Sequence, residues 1–195
     1  MEPVVKLKFL GGAKTVTGSK FLIQTTELNV MVDCGMFQGL KELRELNWTD
    51  LPVDVSTIDL VILTHGHLDH VGYLPRLLKQ GFKGKIIGTA PTLAIADIIL
   101  RDSAKIHEEE AEKANKEAYS KHHPALPFYT VKDAENTIAK FKSVKASEWL
   151  DLSDNIALRF QYNGHIIGAT FIELEINKKR LVFSGDVGRT NDYLL

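Results

Sequence analysis

Three histidines and an aspartate fall within six residues, His65-Gly66-His67-Leu68-Asp69-His70. At this chain's own composition such a run arises by chance in roughly one of two thousand chains, so it points to chemistry rather than to a polar loop. Neutral imidazoles and a carboxylate are what a borderline cation such as Zn2+ binds. Mn2+ or Fe2+ accept the same donors. A cation held this way with an open position polarises substrate oxygens and lowers the pKa of water, which suits hydrolysis.

Such ligands need a rigid support. Leu60-Val61-Ile62-Leu63 is a continuous apolar run, as expected for a strand buried on both faces, and it feeds directly into the histidine run. Alternating or apolar runs predict further strands over 4–10, 21–25, 28–32, 85–89, 143–147, 156–162, 170–176 and 180–183. Tyr73, Leu74, Leu77 and Leu78 have helical spacing up to a stop at Gly81. Pro91 opens a long helix predicted to run to about His122, apolar first and charged later. Thr130-Val131-Lys132-Asp133 resembles a capping box that starts a shorter helix ending near Phe141. Strands, then helices, then strands predict a layered α/β domain.

Composition excludes several classes. The 195 residues are 44% hydrophobic and 25% charged, with a net charge of −1. This is a globular composition, with no broad electrostatic pull toward nucleic acid or anionic lipid. Cys34 is the single cysteine, so no internal disulfide is possible, and a buried, inert thiol is expected. The first residues lack a signal-peptide pattern, and no apolar run nears the ~20 residues of a membrane span. The expectation is a cytoplasmic protein without membrane contact.

The histidine run after an apolar strand resembles the signature of the metallo-β-lactamase superfamily. Asp33 in Val32-Asp33-Cys34-Gly35, His165 in Gly164-His165-Ile166 and Asp186 in Ser184-Gly185-Asp186-Val187-Gly188 extend the likeness. Gly11-Gly12-Ala13, Val16-Thr17-Gly18-Ser19, Phe37-Gln38-Gly39, Asp102-Ser103-Ala104 and Gly188-Arg189 resemble its β-CASP branch of RNA-processing nucleases. The resemblance implies a four-layer αββα sandwich. It assigns a first metal to His65, His67 and His165 and a second to Asp69 and His70, with Asp186 bridging. Asp69 becomes the proton acceptor beside the metal ligand His67, and Asp33 holds the loop by hydrogen bonds. Two Zn2+ ions and an RNA substrate follow by the same resemblance.

The family pattern continues past Asp186 into an inserted β-CASP domain and a return to the first domain. Here the sequence ends at Leu195. The expectation is therefore the N-terminal part of a catalytic domain over 1–195, incomplete at its C-terminus. It should bind one metal readily and a second weakly, and cleave RNA weakly or not at all. Uncovered apolar surface or sheet edges should favour self-association. A thioester-type hydrolase of the same fold and a catalytically silent interaction protein are the alternative readings. Lys20, Arg76 and Arg189 are candidates for phosphate contact, while His107, His122 and His123 are expected to be solvated.

Overall fold

A computed structural model of the chain describes residues 5–189. The elements are β1 (Lys6–Gly11), β2 (Lys20–Gln24), β3 (Asn29–Val32), α1 (Lys41–Leu46), β4 (Leu60–Ile62), α2 (Leu68–Val71), α3 (Leu74–Lys79) and β5 (Lys85–Thr89). There follow α4 (Ala90–Lys116), α5 (Val131–Ile138), β6 (Phe141–Val144), β7 (Trp149–Ser153), β8 (Ile156–Tyr162), β9 (Thr170–Ile176) and β10 (Lys179–Phe183).

One sheet has the order β1-β2-β3-β4-β5-β6 and the other β10-β9-β8-β7. From β3 to β6 the first sheet is parallel, so its links must cross over, and helices do so. β4 shows why its sequence is apolar throughout. Val61 packs in the core under the helices, whereas Ile62 packs in the core between the sheets. The helices bury Leu74, Leu77, Leu93, Ala96, Leu100 and Ala134 in the first core. Leu158, Phe160, Ile172 and Leu174 of the second sheet fill the other.

The mixed α/β class and the two packed sheets match expectation. Among the described residues, however, there are three layers, one helical and two of sheet. The outer face of the second sheet carries an ionic cluster instead of a helix. There Glu173 accepts from Arg159 Nε at 2.6 Å and from Arg180 at 3.1 Å, beside Trp149.

Several boundaries shift for local reasons. The long helix stops at Lys116, before Ala118 turns left-handed at φ 54°. The capping box is present, with Thr130 and Asp133 satisfying each other's backbone N–H groups. The strand expected over 143–147 starts earlier, at Phe141, because its register with Ile86 begins there. β7 is not among the predicted strands, although Trp149 and Asp151 alternate with Leu150 and Leu152. Val4, expected to open the first strand, lies outside the described residues.

Apolar side chains are exposed along β1. Leu7 and Phe9 of β1 pair with Ile23 and Phe21, which turn toward the second sheet. Among the described residues that sheet ends at β10, and Leu7 is 38% and Phe9 60% exposed beside a cavity of about 380 Å³.

Candidate metal centre

Two strand ends build the centre. After β3, Asp33 adopts φ 56°, a left-handed conformation that aspartate tolerates. Its backbone N–H donates to Ile62 at 2.9 Å, so the ends of β3 and β4 stay in register. The next residues clasp the histidine run: Cys34 N–H donates to His70 O at 2.8 Å and Met36 N–H to Leu68 O at 3.1 Å. Ser19 N–H donates to Asp69 O at 2.9 Å from the other side. A side chain at Gly35 would overlap the Asp69 carbonyl, so only glycine fits this crossing.

Asp33 is almost fully buried, and its carboxylate is saturated with donors. It accepts from Thr64 N–H at 2.8 Å, from the Thr64 hydroxyl at 2.9 Å and from His70 Nδ1 at 2.8 Å. With its hydroxyl hydrogen on Asp33, Thr64 can accept from His65 Nδ1 at 3.0 Å. Both histidines are thereby held with Nε2 free and aimed at the centre. Thr64 belongs to no motif, and its position just before His65 is its signal in the sequence.

The second sheet delivers the remaining groups. Thr170, at the start of β9, donates backbone and hydroxyl hydrogens to Thr64 O at 2.9 and 3.2 Å. Asn163 ties the two distant loops together. Its amide donates to Ser184 O and Asp186 O at 3.0 and 2.9 Å, and its carbonyl accepts from His165 N–H at 3.3 Å. Asn163 likewise carries no sequence signal, since its partners depend on how the loops meet.

The result is a cluster of His65 Nε2, His67 Nδ1, His165 Nε2 and an Asp186 carboxylate oxygen, all within 4.8 Å of one another. His67 Nδ1 lies 3.1 Å from His65 Nε2 and 3.2 Å from His165 Nε2. Tetrahedral Zn–N bonds of about 2.05 Å would set ligand nitrogens roughly 3.3 Å apart, close to these two separations. Asp186 faces two ways. Its Oδ2 lies 3.6 Å from His165 Nε2 and 3.9 Å from His65 Nε2, while Oδ1 lies 3.4 Å from His70 Nε2. Asp69 Oδ2 is 3.8 Å from that same His70 nitrogen.

Electrostatics favour ligand forms in the first cluster. Burial pushes the His65 pKa down to about 2, helped by His70, His67 and His165. Burial and His165 also lower His67. Burial works against charge on His70, but Asp33, with Asp69 and Asp186, raises it overall.

Compared with known protein families, residues 15–195 match the metallo-beta-lactamase superfamily. The chain belongs to that superfamily. Among curated superfamily relatives, Ribonuclease TTHA0252 of Thermus thermophilus is 35% identical over 185 residues, covering 94% of this chain and 38% of its own length. Transcription termination factor FttA of Methanocaldococcus jannaschii is 29% identical, covering 94% of this chain and 27% of its own. Integrator complex subunit 11 of Danio rerio is 28% identical, covering 97% and 31%. The chain thus spans less than two fifths of these relatives. In solved structures, the superfamily fold is shared with a Cronobacter sakazakii metallo-beta-lactamase carrying a HARLDQ motif. That likeness has a TM-score of 0.57 at 18% identity over 100% of this chain and 66% of the other.

Other candidates lie elsewhere. Lys20 is 1% exposed, with Nζ donating to Gly18 O at 3.3 Å over the rings of Phe37 and Tyr73, so it faces no phosphate. Arg76 stacks on Phe128, and Arg189 is exposed. His122 and His123 are exposed as expected. His107 is not solvated, because it packs edge-on against Phe128 and Tyr129 and burial lowers its pKa. Cys34 is fully buried. No helix among the described residues is long and apolar enough to cross a membrane.

Proposed function

We propose that this chain is the metal-binding catalytic part of a hydrolase that cleaves RNA phosphodiesters. The two-faced carboxylate of Asp186, set between the His65/His67/His165 cluster and the His70/Asp69 pair, carries the reading. A bridging carboxylate of this kind suits two cations, which would polarise a phosphodiester oxygen and lower the pKa of water between them. His65, His67 and His165 hold the first position. Asp69 and His70 hold the second with Asp186. Asp69, the carboxylate of the histidine run, orients the attacking water and accepts its proton. Asp33 and Thr64 fix which imidazole nitrogens face inward. The ribonuclease name of the most similar relative described above supports RNA as substrate, and the β-CASP-like stretches support that branch.

Zn2+ is the proposed ion. The second position has fewer protein ligands among the described residues, so it should fill weakly and activity should be low. Cytoplasmic residence is proposed on the same reading.

Labelled single-stranded RNA and a thioester, each with added Zn2+ or Mn2+, test the assignment. The expected outcome is slow, metal-dependent RNA cleavage that disappears in His67→Ala and Asp69→Ala. Thioester turnover without RNA cleavage would move the chain to the small-molecule hydrolases. Activity on neither substrate, with the metal bound, would make it a silent binding protein.

A further inference from the structure

A second concave surface lies between α1, the C-terminal half of α4 and the loop after Gly35. Two cavities of about 790 and 920 Å³ share Trp48, Ala125 and Leu126 as walls and so form one trough. One lining residue is Leu68, between His67 and Asp69, whose carbonyl accepts from Met36 N–H. The trough therefore abuts the backbone of the metal-ligand loop.

Its walls combine aromatic faces with cations. Trp48 is 53% exposed and Tyr119 60%. Trp48 stands edge-on to Phe128 at 5.1 Å, and Phe128 is itself packed against Tyr73, Tyr129 and His107. The indole is braced at one edge and open to a ligand. Arg44 and Lys113 line one cavity, and Lys121 lines the other with His122 and His123. The carboxylates present are Glu110 and Glu45, and Lys41 already neutralises Glu45 at 3.7 Å.

Aromatic faces interleaved with positive charge suit one class of ligand. Bases of a single strand stack on the rings while phosphates sit beside the cations, and a duplex hides those base faces. We propose that this trough binds single-stranded RNA, with a base stacked on Trp48 and the strand passing Leu68 toward the metal-ligand loop. That the strand is RNA rests on the hydrolase reading above, whereas the stacking site rests on the trough itself.

The two tryptophans of the chain make the test specific. Trp149 lies on the outer face of the second sheet, with Arg159 and Arg180 at 4.6 and 5.3 Å. Trp149→Phe leaves Trp48 as the reporter, and Trp48→Phe leaves Trp149. Each variant is titrated with a short oligouridylate at low salt and without metal. Saturable quenching of Trp48, no change at Trp149 and no quenching by a matched RNA duplex are expected. Trp48→Ala should weaken binding about 5- to 150-fold, with Trp48→Phe retaining much of the affinity. Arg44→Gln and Lys113→Gln should weaken it and flatten its salt dependence.

A silent Trp48, equal quenching by duplex, or strand binding indifferent to Trp48→Ala would overturn the proposal; the last would leave the trough as a seat for protein. Failure of the two readings is separable. Binding at Trp48 without any cleavage counts against the hydrolase alone, and cleavage with Trp48 silent counts against the trough alone.

Discussion

Asp33 and His70 are 37 positions apart in the chain, and their side chains meet at 2.8 Å in a buried pocket. The carboxylate also takes the Thr64 N–H and hydroxyl, so one buried group orients two histidines of the candidate metal centre. Asp33→Asn keeps the shape and tolerates the left-handed backbone, but its amide nitrogen cannot accept a hydrogen bond. Zinc affinity should fall about 10- to 100-fold with the circular dichroism spectrum unchanged. Competition against a chromophoric chelator measures it, and an unaltered affinity would remove Asp33 from the centre.

Gly35 is where two backbones cross. Any side chain there meets the Asp69 carbonyl, which Ser19 N–H also holds. Gly35→Ala should push the histidine run outward, lowering both stability and metal uptake. Elemental analysis beside a urea unfolding curve reads the two effects. Normal values for both would show that the crossing has slack.

Lys20 is buried with a single carbonyl acceptor and two ring faces, and burial pushes its pKa down to about 8 from 10.5. At pH 7 both folded and unfolded chains carry its proton, and the folded state bears the full penalty, about 3 kcal/mol at 1.36 kcal/mol per unit. Between pH 8 and 10.5 the unfolded chain binds more protons, so stability should rise with pH. Lys20→Met should therefore be more stable than the parent at pH 7, with an advantage that shrinks by pH 10. Urea midpoints at both values check this, and an advantage that stays constant or grows would contradict it.

Cys34 sits beneath the clasp with its thiol pushed up to about 12 by burial. Since the thiolate is the reactive form, the folded protein should not react with a chromogenic disulfide reagent at pH 8. One thiol per chain should appear on denaturation. Rapid labelling of the native protein would mean that this region opens.

The open side of the sandwich bears Phe9 and Leu7 next to β10, which is the edge of its sheet among the described residues. An apolar face beside an unpaired edge favours association. Light scattering over a concentration series should show growing mass, reduced in Phe9→Lys. A mass that stays at one chain throughout would rule it out.

Much of this was legible from local pattern. β5, β8 and β9 have the bounds that apolar alternation predicts, and Thr130 with Asp133 forms the box that their spacing implies. These are short-range effects, set by which face of a strand or which turn of a helix must be buried. The His65–His70 run also declares its donor types without a fold, because they and their spacing are written in consecutive residues.

What the tertiary structure alone decided is which distant groups meet. Lys20 reads as a surface cation, but the fold seals it under Phe37 and Tyr73; His107 reads as part of a solvated helix, but Phe128 and Tyr129 enclose it. Thr64 and Asn163 carry no motif, and they matter only because β9 and the loops beside His165 and Asp186 fold against the end of β4. Residue types and local periodicity fix what each segment can do. Packing across tens of residues fixes the hydrogen-bond partners, burial and electrostatic neighbours that turn those capabilities into one centre.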